Sequence, residues 1–455
     1  MDHPPLIRDR LEQRIQQEEI SMSRFAKKHN INVGIISSIL NGNRVLSIEQ
    51  LDKITEILEL EKGALYDQYI NEYLNDATPD WRRIKPFLYR CVELDKLDCI
   101  QKIVSMLAGK SQYPGFLFET AEDFFREDKK DAASMLYESV AESENKQHSE
   151  RLAICHYRLF MARQGDDQEE NYQLAIRFEP FVERLNEVEQ LDAYTDLANT
   201  YRSLRNWKKV EKIAEILLDK AKMLYDCKQA GELPTDRQPQ KPWFFYISYA
   251  YLLRAHANEE YKDYEQVAHY LKLTTELDWV QEEDEDTLLW KNRFEEWARA
   301  NSYAARLYAG EPDVLEEYVE YVEQRPEELL VFLLNVVTAA NRHRLDLSTV
   351  LPKFKHGIDD LEAQTLDDEL YTLQLNLERY ARLLYELAVY YLERGQYGQG
   401  FGYLLECMEQ AQRWNYNLLL LKCTNLFERF RGNAEKDIVA KYAELYQHAQ
   451  RLLHL

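Results

Sequence analysis

Side chains that commonly catalyse reactions or bind metal ions are dispersed along this chain. The six cysteines form no Cys-x-x-Cys pair and have no histidine at ligand spacing, which argues against zinc sites and disulfide frameworks. The ten histidines are equally scattered, and the sequence contains no glycine-rich phosphate loop, HExxH motif or nucleophile elbow. The acidic run 282–286 lacks the glycine and the spacing of a calcium-binding loop. We therefore expect no enzyme, no cofactor and no metal ion.

The composition indicates which elements must position any binding residues. The 455 residues include only 14 Gly and 12 Pro, and this scarcity of turn formers predicts an almost wholly helical protein. The net charge of −23 argues against binding of nucleic acid by the surface as a whole, so any DNA contact must be local. The first residues contain no apolar signal segment, and no apolar stretch is long enough to span a bilayer. We expect a soluble cytoplasmic protein with no membrane partner.

The first eighty residues predict five short helices separated by polar breaks. Ser21 and Asn32 stand where N-caps are expected, and Gly42 supplies the left-handed residue that ends a helix. Ser47 and Gln50 form a capping box that begins the fourth helix. The apolar residues Leu6, Leu11 and Ile15 mark the first helix at a spacing of about 3.6 residues.

The segment from Phe25 to Gly42 resembles the helix-turn-helix of the Cro/phage-repressor (XRE) family of transcription factors. The small Ala26, the turn Asn30-Ile31, the inward Ile36 and the closing Asn41-Gly42 fall at the spacings of that family. A small residue lets two helices cross closely, and the second helix can then project its first half into a major groove. The resemblance extends through Leu65 and implies that this region binds double-stranded DNA.

Alignment with the family implies a set of DNA-contacting residues. Val33 and Gly34 depart from the pattern, because most members have hydrogen-bonding side chains there and Val33 can only touch a thymine methyl group. Residues 1–45 hold seven Lys or Arg against five Asp or Glu, whereas residues 46–80 hold two against nine. This thin basic surface predicts that a homodimer is needed for DNA binding, or that the domain is a docking module without DNA. The implied DNA-contacting residues are Lys27, Lys28, Asn32, Val33, Gly34, Ser37, Ser38, Asn43 and Arg44.

Beyond residue 80, the pattern changes to long amphipathic helices in antiparallel pairs. One pair shows small or aromatic residues at Ala198, Tyr201, Trp207, Val210 and Ala214, and the template recurs elsewhere in the chain. These pairs resemble degenerate tetratricopeptide (TPR) repeats, although a regular spacing of 34 residues is not kept. Copies of the template occur at 121–140, 255–271 and 388–407.

These patterns predict an all-α protein, in which a small helix-turn-helix domain is followed by a TPR-like right-handed α-solenoid. We assign residues 1–72 to the DNA-binding domain, 73–80 to a linker and 81–455 to the repeat domain, which would bind a peptide and mediate oligomerisation. Helix pairs are expected to begin near Trp81, Pro114, Gln147, Val188, Pro242, Asp286, Pro326, Asp367 and Asn417.

The repeat template implies which polar side chains face the concave groove. An asparagine amide can both donate to and accept from one peptide unit, and an arginine can bind a carboxylate through two parallel hydrogen bonds. The same residues could instead be ordinary polar residues of the repeats. The stretch 243–246 is expected to pack between repeats or to form an apolar lip of the groove. The expected peptide-binding residues are Arg158, Asp192, Thr195, Asn199, Arg202, His256, Asn335, Thr338, Asn341 and Arg342.

The order of the two domains resembles the peptide-pheromone receptors of Gram-positive bacteria, the RRNPP family. That resemblance implies a cytoplasmic transcriptional regulator that binds operator DNA as a homodimer and is controlled by a short signalling peptide in the TPR groove. Its role would be quorum sensing. The alternative is a TPR adaptor that sequesters a partner protein and carries a vestigial helix-turn-helix.

Overall fold

The computed structural model describes residues 5–42, 46–75, 78–144, 149–233, 237–359, 361 and 372–453. Every regular element in these ranges is a helix, as the low glycine and proline content predicts. By their internal contacts, the residues divide into two compact units, Met1–Arg163 and Gln164–Leu455. Within the described ranges, no helix combines the length and the apolar character needed to cross a membrane.

The first unit begins with five short helices and continues with five longer ones. The turn after α5 is π-helical and spans Ile70–Leu74. The helices of this unit are α1 (Ile7–Gln17), α2 (Met22–Lys28), α3 (Val33–Leu40), α4 (Ile48–Ile57), α5 (Tyr66–Tyr69), α6 (Trp81–Glu93), α7 (Leu97–Leu107), α8 (Pro114–Arg126), α9 (Lys130–Glu144) and α10 (Glu150–Arg163).

Local side-chain bonds set the bounds of α2, α3 and α4. The Ser21 hydroxyl accepts a hydrogen bond from the backbone N–H of Arg24, and the Asn32 side chain accepts one from the N–H of Gly34 at 2.7 Å. Asn30 adopts a φ of 50°, which turns the chain between α2 and α3. These caps occur where the sequence places them.

The first helix differs from its sequence prediction in one residue. Leu6 is the N-cap of α1 in an extended conformation and is 37% exposed, so it is not part of the buried face. Ile7 and Leu11, four residues apart on one face of the helix, are fully buried instead. Leu6, expected to mark the helix, lies just before it, because the helix begins at Ile7.

The first unit contains more than the five short helices. The Arg90 guanidinium on α6 donates to Asp52 on α4 at 2.7 Å, and the Tyr66 hydroxyl donates to the same carboxylate at 2.8 Å. Helices α8, α9 and α10 then pack against one another in sequence order. The boundary predicted at 73–80 therefore lies inside one compact unit.

The second unit consists mainly of long helices whose sequence neighbours pack together. Short 3₁₀ turns occur at Glu179–Arg184, Pro326–Glu328, Leu351–Phe354 and Arg431–Asn433. The helices of this unit are α11 (Gln168–Phe178), α12 (Glu187–Ser203), α13 (Trp207–Gln229), α14 (Trp243–Glu260), α15 (Tyr264–Thr275), α16 (Glu285–Tyr308), α17 (Val314–Glu323), α18 (Leu329–His343), α19 (Lys355–Asp359), α20 (Leu373–Glu393), α21 (Tyr397–Arg413), α22 (Asn417–Phe430) and α23 (Lys436–Leu453).

Predicted starts of helix pairs agree with the helix bounds in both units. Helices begin at Trp81, Pro114 and Asn417, and others begin within one residue of Val188, Pro242 and Asp286. Pro326 opens the 3₁₀ turn that leads into α18. The starts predicted near Gln147 and Asp367 lie outside the described residues.

The start of α11 contacts the turn between α21 and α22, which is far away in the sequence. The backbone N–H of Gln168, at the start of α11, donates to the carbonyl of Trp414 at 2.9 Å. The amide of Asn415 donates to Asp167 at 2.5 Å, and α12 packs along α20. The inner faces of α12, α14, α16, α18 and α20 are thereby brought around a common interior.

Candidate functional site

The interior of the second unit contains a cavity of about 360 Å³, called the central cavity below. Residues of α12, α14, α16, α18 and α20 line it, together with Gln240, Lys241, Glu328 and Thr372 beside these helices. Its wall mixes aromatic rings with carboxylates, amides and guanidinium groups. Such a mixture is typical of pockets that bind organic ligands, in which a few polar groups fix the orientation.

Helix α12 contributes a polar stripe to this wall. Asp192, Thr195, Asn199 and Arg202 line the cavity, as the repeat template predicts for the concave side. The spacings of three and four residues place these side chains on one face of the helix. Five of the residues predicted to face the groove, including His256 on α14, thus lie together in one wall.

Hydrogen bonds between neighbouring helices hold the polar stripe in place. The hydroxyl of Tyr246 and the backbone N–H of Gln240 both donate to the Asp192 carboxylate. The hydroxyl of Tyr249 donates to the Asn199 side-chain oxygen, which leaves the amide N–H groups of Asn199 for other partners. Burial and the Asp192 charge raise the pKa of Tyr246, so this hydroxyl remains a donor.

Aromatic residues that the sequence prediction did not assign to the site complete the wall. Phe245, Tyr249, Leu252 and His256 lie at helical spacing on one face of α14, and Trp290 and Trp297 come from α16. Phe245 contacts Trp290 with ring centroids 4.7 Å apart. The stretch 243–246 therefore divides between two roles. Phe245 and Tyr246 line the cavity, whereas Phe244 packs on Phe294 of a neighbouring helix.

Arg379 on α20 and Arg293 on α16 also line the central cavity, and the sequence prediction contained neither. The spacing from Leu375 to Arg379 indicates one helix face, but no local signal shows that this face is opposite α12. Arg379 is 7% exposed, so its charge is held inside the protein.

Two further titratable residues of α14, His256 and Glu259, have shifted pKa values. Burial, together with the positive charge of Arg202, holds the pKa of His256 well below its usual range, so the imidazole is neutral. The ring contacts the Asn301 side-chain oxygen through Nε2 at 3.1 Å. Burial raises the pKa of Glu259 to about 7.

Three predicted groove residues line smaller cavities nearby. Asn335 accepts from the Tyr308 hydroxyl at 2.9 Å and donates to the Tyr318 hydroxyl at 3.2 Å, so its amide bridges two helices. Thr338 and Arg342 line another small cavity. The amide of Asn341 does not line the central cavity and donates to Glu386 at 2.7 Å.

Arg158 belongs to the first unit and is not one of the residues that line the central cavity. Its guanidinium contacts the Glu122 carboxylate at 3.2 Å and lies 5.2 Å from the centre of the Phe125 ring. These contacts hold the side chain between helices α8 and α10 of its own unit.

The predicted DNA-contacting residues surround the start of α3. Asn32, Val33 and Gly34 are exposed, and Val33 has 39% of its surface accessible. Ser37 and Ser38 are half-buried, and Ser37 accepts from the Asn41 amide at 3.3 Å. The first half of α3 thus presents backbone and short side chains to solvent.

The cationic part of this surface is small. Lys27 is exposed, but the Lys28 ammonium contacts Glu18 at 2.8 Å, which offsets its charge. Asn43 and Arg44, also predicted to contact DNA, lie outside the described residues.

Comparisons with known proteins do not place the chain in a family. No protein-family model matches it, and no curated protein matches it. One similar solved structure is described as a "circular tandem repeat protein with novel repeat topology and enhanced subunit contact surfaces". The two sequences are 12% identical. The aligned region covers 94% of this chain and 90% of the repeat protein, and the TM-score is 0.20. At that TM-score the likeness carries no argument, so the all-helical fold rests on this structure alone.

Proposed function

We propose that this protein is a cytoplasmic transcriptional regulator controlled by a short peptide. In this proposal, residues 1–72 form a helix-turn-helix domain that binds operator DNA as a homodimer. Residues 81–455 supply a TPR-like right-handed α-solenoid whose interior binds the peptide. The observation that carries the proposal is the central cavity, in which five helices from distant parts of the sequence present one polar and aromatic wall.

The chemistry of the cavity suits a peptide. Asn199 offers an amide that can pair with a backbone unit, and Asp192 and Arg202 offer opposite charges on the same face of α12. Aromatic rings such as Trp290 and Trp297 can contact apolar side chains of a ligand. A volume of about 360 Å³ lies in the range of natural ligand pockets.

The exposed start of α3 supports the DNA-binding part of the proposal. A helix preceded by a tight turn can place its first residues in a major groove, and Val33 can contact a thymine methyl group there. Few cations accompany this surface, so two copies on a two-fold site are needed for tight binding.

A peptide that contacts several helices of the second unit favours one arrangement of those helices over others. Binding therefore shifts the population of arrangements. If the dimer is formed through the same helices, the shift changes the spacing of the two DNA-binding domains and their fit to half-sites.

The DNA part is tested by passing genomic fragments over the purified full chain at low salt and measuring the affinity of retained fragments as salt rises. We expect a steep loss of affinity with salt. Lys27→Ala should reduce the slope of log K against log salt by about one. Lys129→Ala, at an exposed lysine of the α8–α9 turn, is the matched control and should leave the slope unchanged.

The peptide part is tested by adding synthetic peptides encoded by small reading frames near the retained fragments. A peptide that changes DNA affinity should bind Asn199→Ala about ten-fold more weakly, because a hydrogen-bonded backbone unit is lost. Asn341→Ala removes an amide that does not line the central cavity and should leave the affinity unchanged.

The adaptor alternative draws support from two observations on the first unit. Glu18 offsets the charge of Lys28, and Val33 and Gly34 stand where base-reading side chains are expected. If the full chain retains no DNA even at low salt, the regulator proposal fails, and the function as an adaptor that sequesters a partner protein replaces it.

A further inference from the structure

The central cavity adjoins a smaller cavity of about 50 Å³, and the place where they meet is called the junction below. Residues of α12, α14, α16, α18 and α20 line both cavities there, so every helix that forms the central cavity also reaches the junction. The residues of the junction are Arg202, His256, Asn301, Val331, Leu375 and Arg379.

Helices α14 and α16 run side by side in a constant register up to the junction. The Phe245 ring contacts the Trp290 ring, and the His256 ring contacts the Asn301 side chain. In both pairs the partners are 45 residues apart in the sequence. A constant separation means that the two helices point in the same direction and advance together.

One helical turn before His256 and Asn301, the same register places Leu252 beside Trp297. Both of these side chains are buried and line the central cavity. Helices α18 and α20 add apolar side chains at the junction itself. The apolar wall beside His256 thus comes from four helices and consists of Leu252, Trp297, Val331 and Leu375.

His256 presents an unpaired hydrogen-bond acceptor at this wall. Its Nε2 lies 3.1 Å from the Asn301 side-chain oxygen, and the Asn301 amide nitrogen donates to the backbone carbonyl of Trp297 at 2.7 Å. Because the oxygen of Asn301 faces the ring, Nε2 is the donor and Nδ1 of the neutral imidazole is unprotonated. Nδ1 is buried and has no hydrogen-bond partner among the described residues. A buried acceptor without a partner costs stability, and a ligand donor that reaches it removes this cost.

The charges at the junction limit what that donor can be. Arg202 and Arg379 already interact with other groups of the protein, so neither is assigned to the ligand. Burial is the main cause of the low pKa of His256, and the positive charges of these two arginines and of Arg382 add to it. A ligand ammonium would meet the same repulsion. The group that donates to Nδ1 is therefore a neutral N–H or O–H.

We propose that the junction binds an aromatic side chain of the peptide ligand that carries one neutral donor, the phenol of a tyrosine or the indole of a tryptophan. The ring lies against the apolar wall, and its O–H or N–H donates to Nδ1 of His256. The inference rests on the proposed peptide-binding function and specifies which side chain of the peptide is selected.

Other side chains match the junction less well. A phenylalanine ring suits the apolar wall but leaves Nδ1 without a partner in the complex. An asparagine or glutamine brings a donor together with a carbonyl group, which an apolar wall leaves without a hydrogen bond. Tyrosine and tryptophan combine a large apolar body with one polar tip, as the wall and its acceptor require.

The test begins with the unmodified full chain. Four mixtures of pentapeptides are passed over it, each with tyrosine, tryptophan, phenylalanine or lysine fixed at the centre and mixed residues elsewhere, and retained peptides are identified by mass spectrometry. We expect the tyrosine or the tryptophan mixture to be retained most, and the better of the two identifies the ring.

Calorimetry then compares each retained sequence with a partner that lacks the donor. Phenylalanine replaces tyrosine in that partner, or benzothienylalanine replaces tryptophan, so that the size of the ring is nearly kept. We expect loss of the donor to weaken binding by about ten-fold, because Nδ1 is then left without a partner in the complex.

A variant assigns the effect to one atom of the protein. His256→Leu removes the acceptor and should reduce the difference between the two peptides to less than about two-fold. His269→Leu, at an exposed histidine of α15 that does not line the central cavity, is the matched control and should keep the difference. A histidine with a merely structural role would weaken both peptides equally, and that result would contradict the assignment.

The outcomes separate the inference from the proposed function. If peptides are retained but removal of the donor leaves the affinity unchanged, or if the lysine mixture is retained most, the inference fails and peptide binding stands. If no mixture is retained, peptide binding fails and the inference fails with it. Because these comparisons use the unmodified protein, they are decisive even if a variant fails to fold.

Discussion

The turn between α2 and α3 and the wall of the central cavity are held by opposite kinds of contact. At the turn, the caps that end and begin the helices are local, since the N–H of Gly34 donates to the Asn32 side chain only two residues earlier. In the cavity wall, Asp192 pairs with Tyr246, Asn199 with Tyr249 and His256 with Asn301, at separations of 54, 50 and 45 residues. Local bonds of the first kind leave signatures that can be read from a short stretch of sequence, whereas the second kind depends on how helices stack.

The number of residues between one inner helix and the next is irregular, and this explains why the repeat template predicts only part of the cavity wall. It places α12 correctly, because the offsets within one helix pair are short. It does not fix the distance to the next inner helix, since the connections between pairs differ in length. The two regions should therefore respond differently to mutation, and four changes test this difference.

The largest effect is expected at a close approach of two helices, α20 and α21. A side chain at Gly400 on α21 would come within 2.9 Å of the Leu392 backbone nitrogen, and within 2.6 Å of the Leu392 Cγ. Gly400→Val should lower the free energy of unfolding by about 3 kcal/mol, measured by urea denaturation. Gly398→Val is the matched control, because nothing lies within 4 Å of its added Cβ. Equal losses in the two variants would show that this crossing is not tight.

The second prediction concerns a long-range bond of the cavity wall. Tyr249→Phe removes the hydroxyl that donates to Asn199 and should cost about 2 kcal/mol, because the Asn199 oxygen loses its partner. Tyr251→Phe, on the same helix, is the control. A double-mutant cycle with Asn199→Ala should show that the two side chains are coupled, and additive effects would contradict the pairing.

The third prediction uses the raised pKa of Glu259. Folding shifts this carboxyl from an ordinary pKa of 4.5 to about 7, so the folded state holds its proton more tightly than the unfolded state. Stability is therefore lost as pH rises from about 4.5 to about 7. Glu259→Gln should stabilise the protein by about 1 to 2 kcal/mol at pH 8 and by much less at pH 5.

Thermal or urea unfolding at both pH values measures this effect. Glu265→Gln, at an exposed position of α15, serves as the matched control. If Glu259→Gln gave the same change at pH 5 and pH 8, the carboxyl would not be the source of the pH dependence.

The smallest effect is expected in the local turn. Ser21→Ala removes the N-cap of α2 and should cost about 1 kcal/mol, since the N–H of Arg24 loses its acceptor. Ser23→Ala, at an exposed position inside the same helix, should change stability little or raise it. Hydrogen exchange of the α2 amides reports this loss locally, and unchanged protection would contradict the capping role.

Sequence reasoning succeeded for the features that depend on a few neighbouring residues. Asn30 and Asn32 at the α2–α3 turn, and helix starts such as Trp81 and Asn417, follow from capping chemistry and helical periodicity. The polar stripe of α12 was predicted for the same reason, because its four residues share one helix face. Arg379 and Trp290 were missed, since no local pattern shows which helix their faces meet.

By itself, the sequence determined that the chain is helical, where its turns occur and which face of each helix is polar, because these properties depend on side chains within one or two helical turns. Only the tertiary structure decided which faces meet. It brought Arg202, His256 and Arg379 together in the wall of the central cavity, grouped the first ten helices into one compact unit and placed Arg158 in that unit. Those outcomes depend on packing between helices tens to hundreds of residues apart, and no short stretch of sequence encodes such packing.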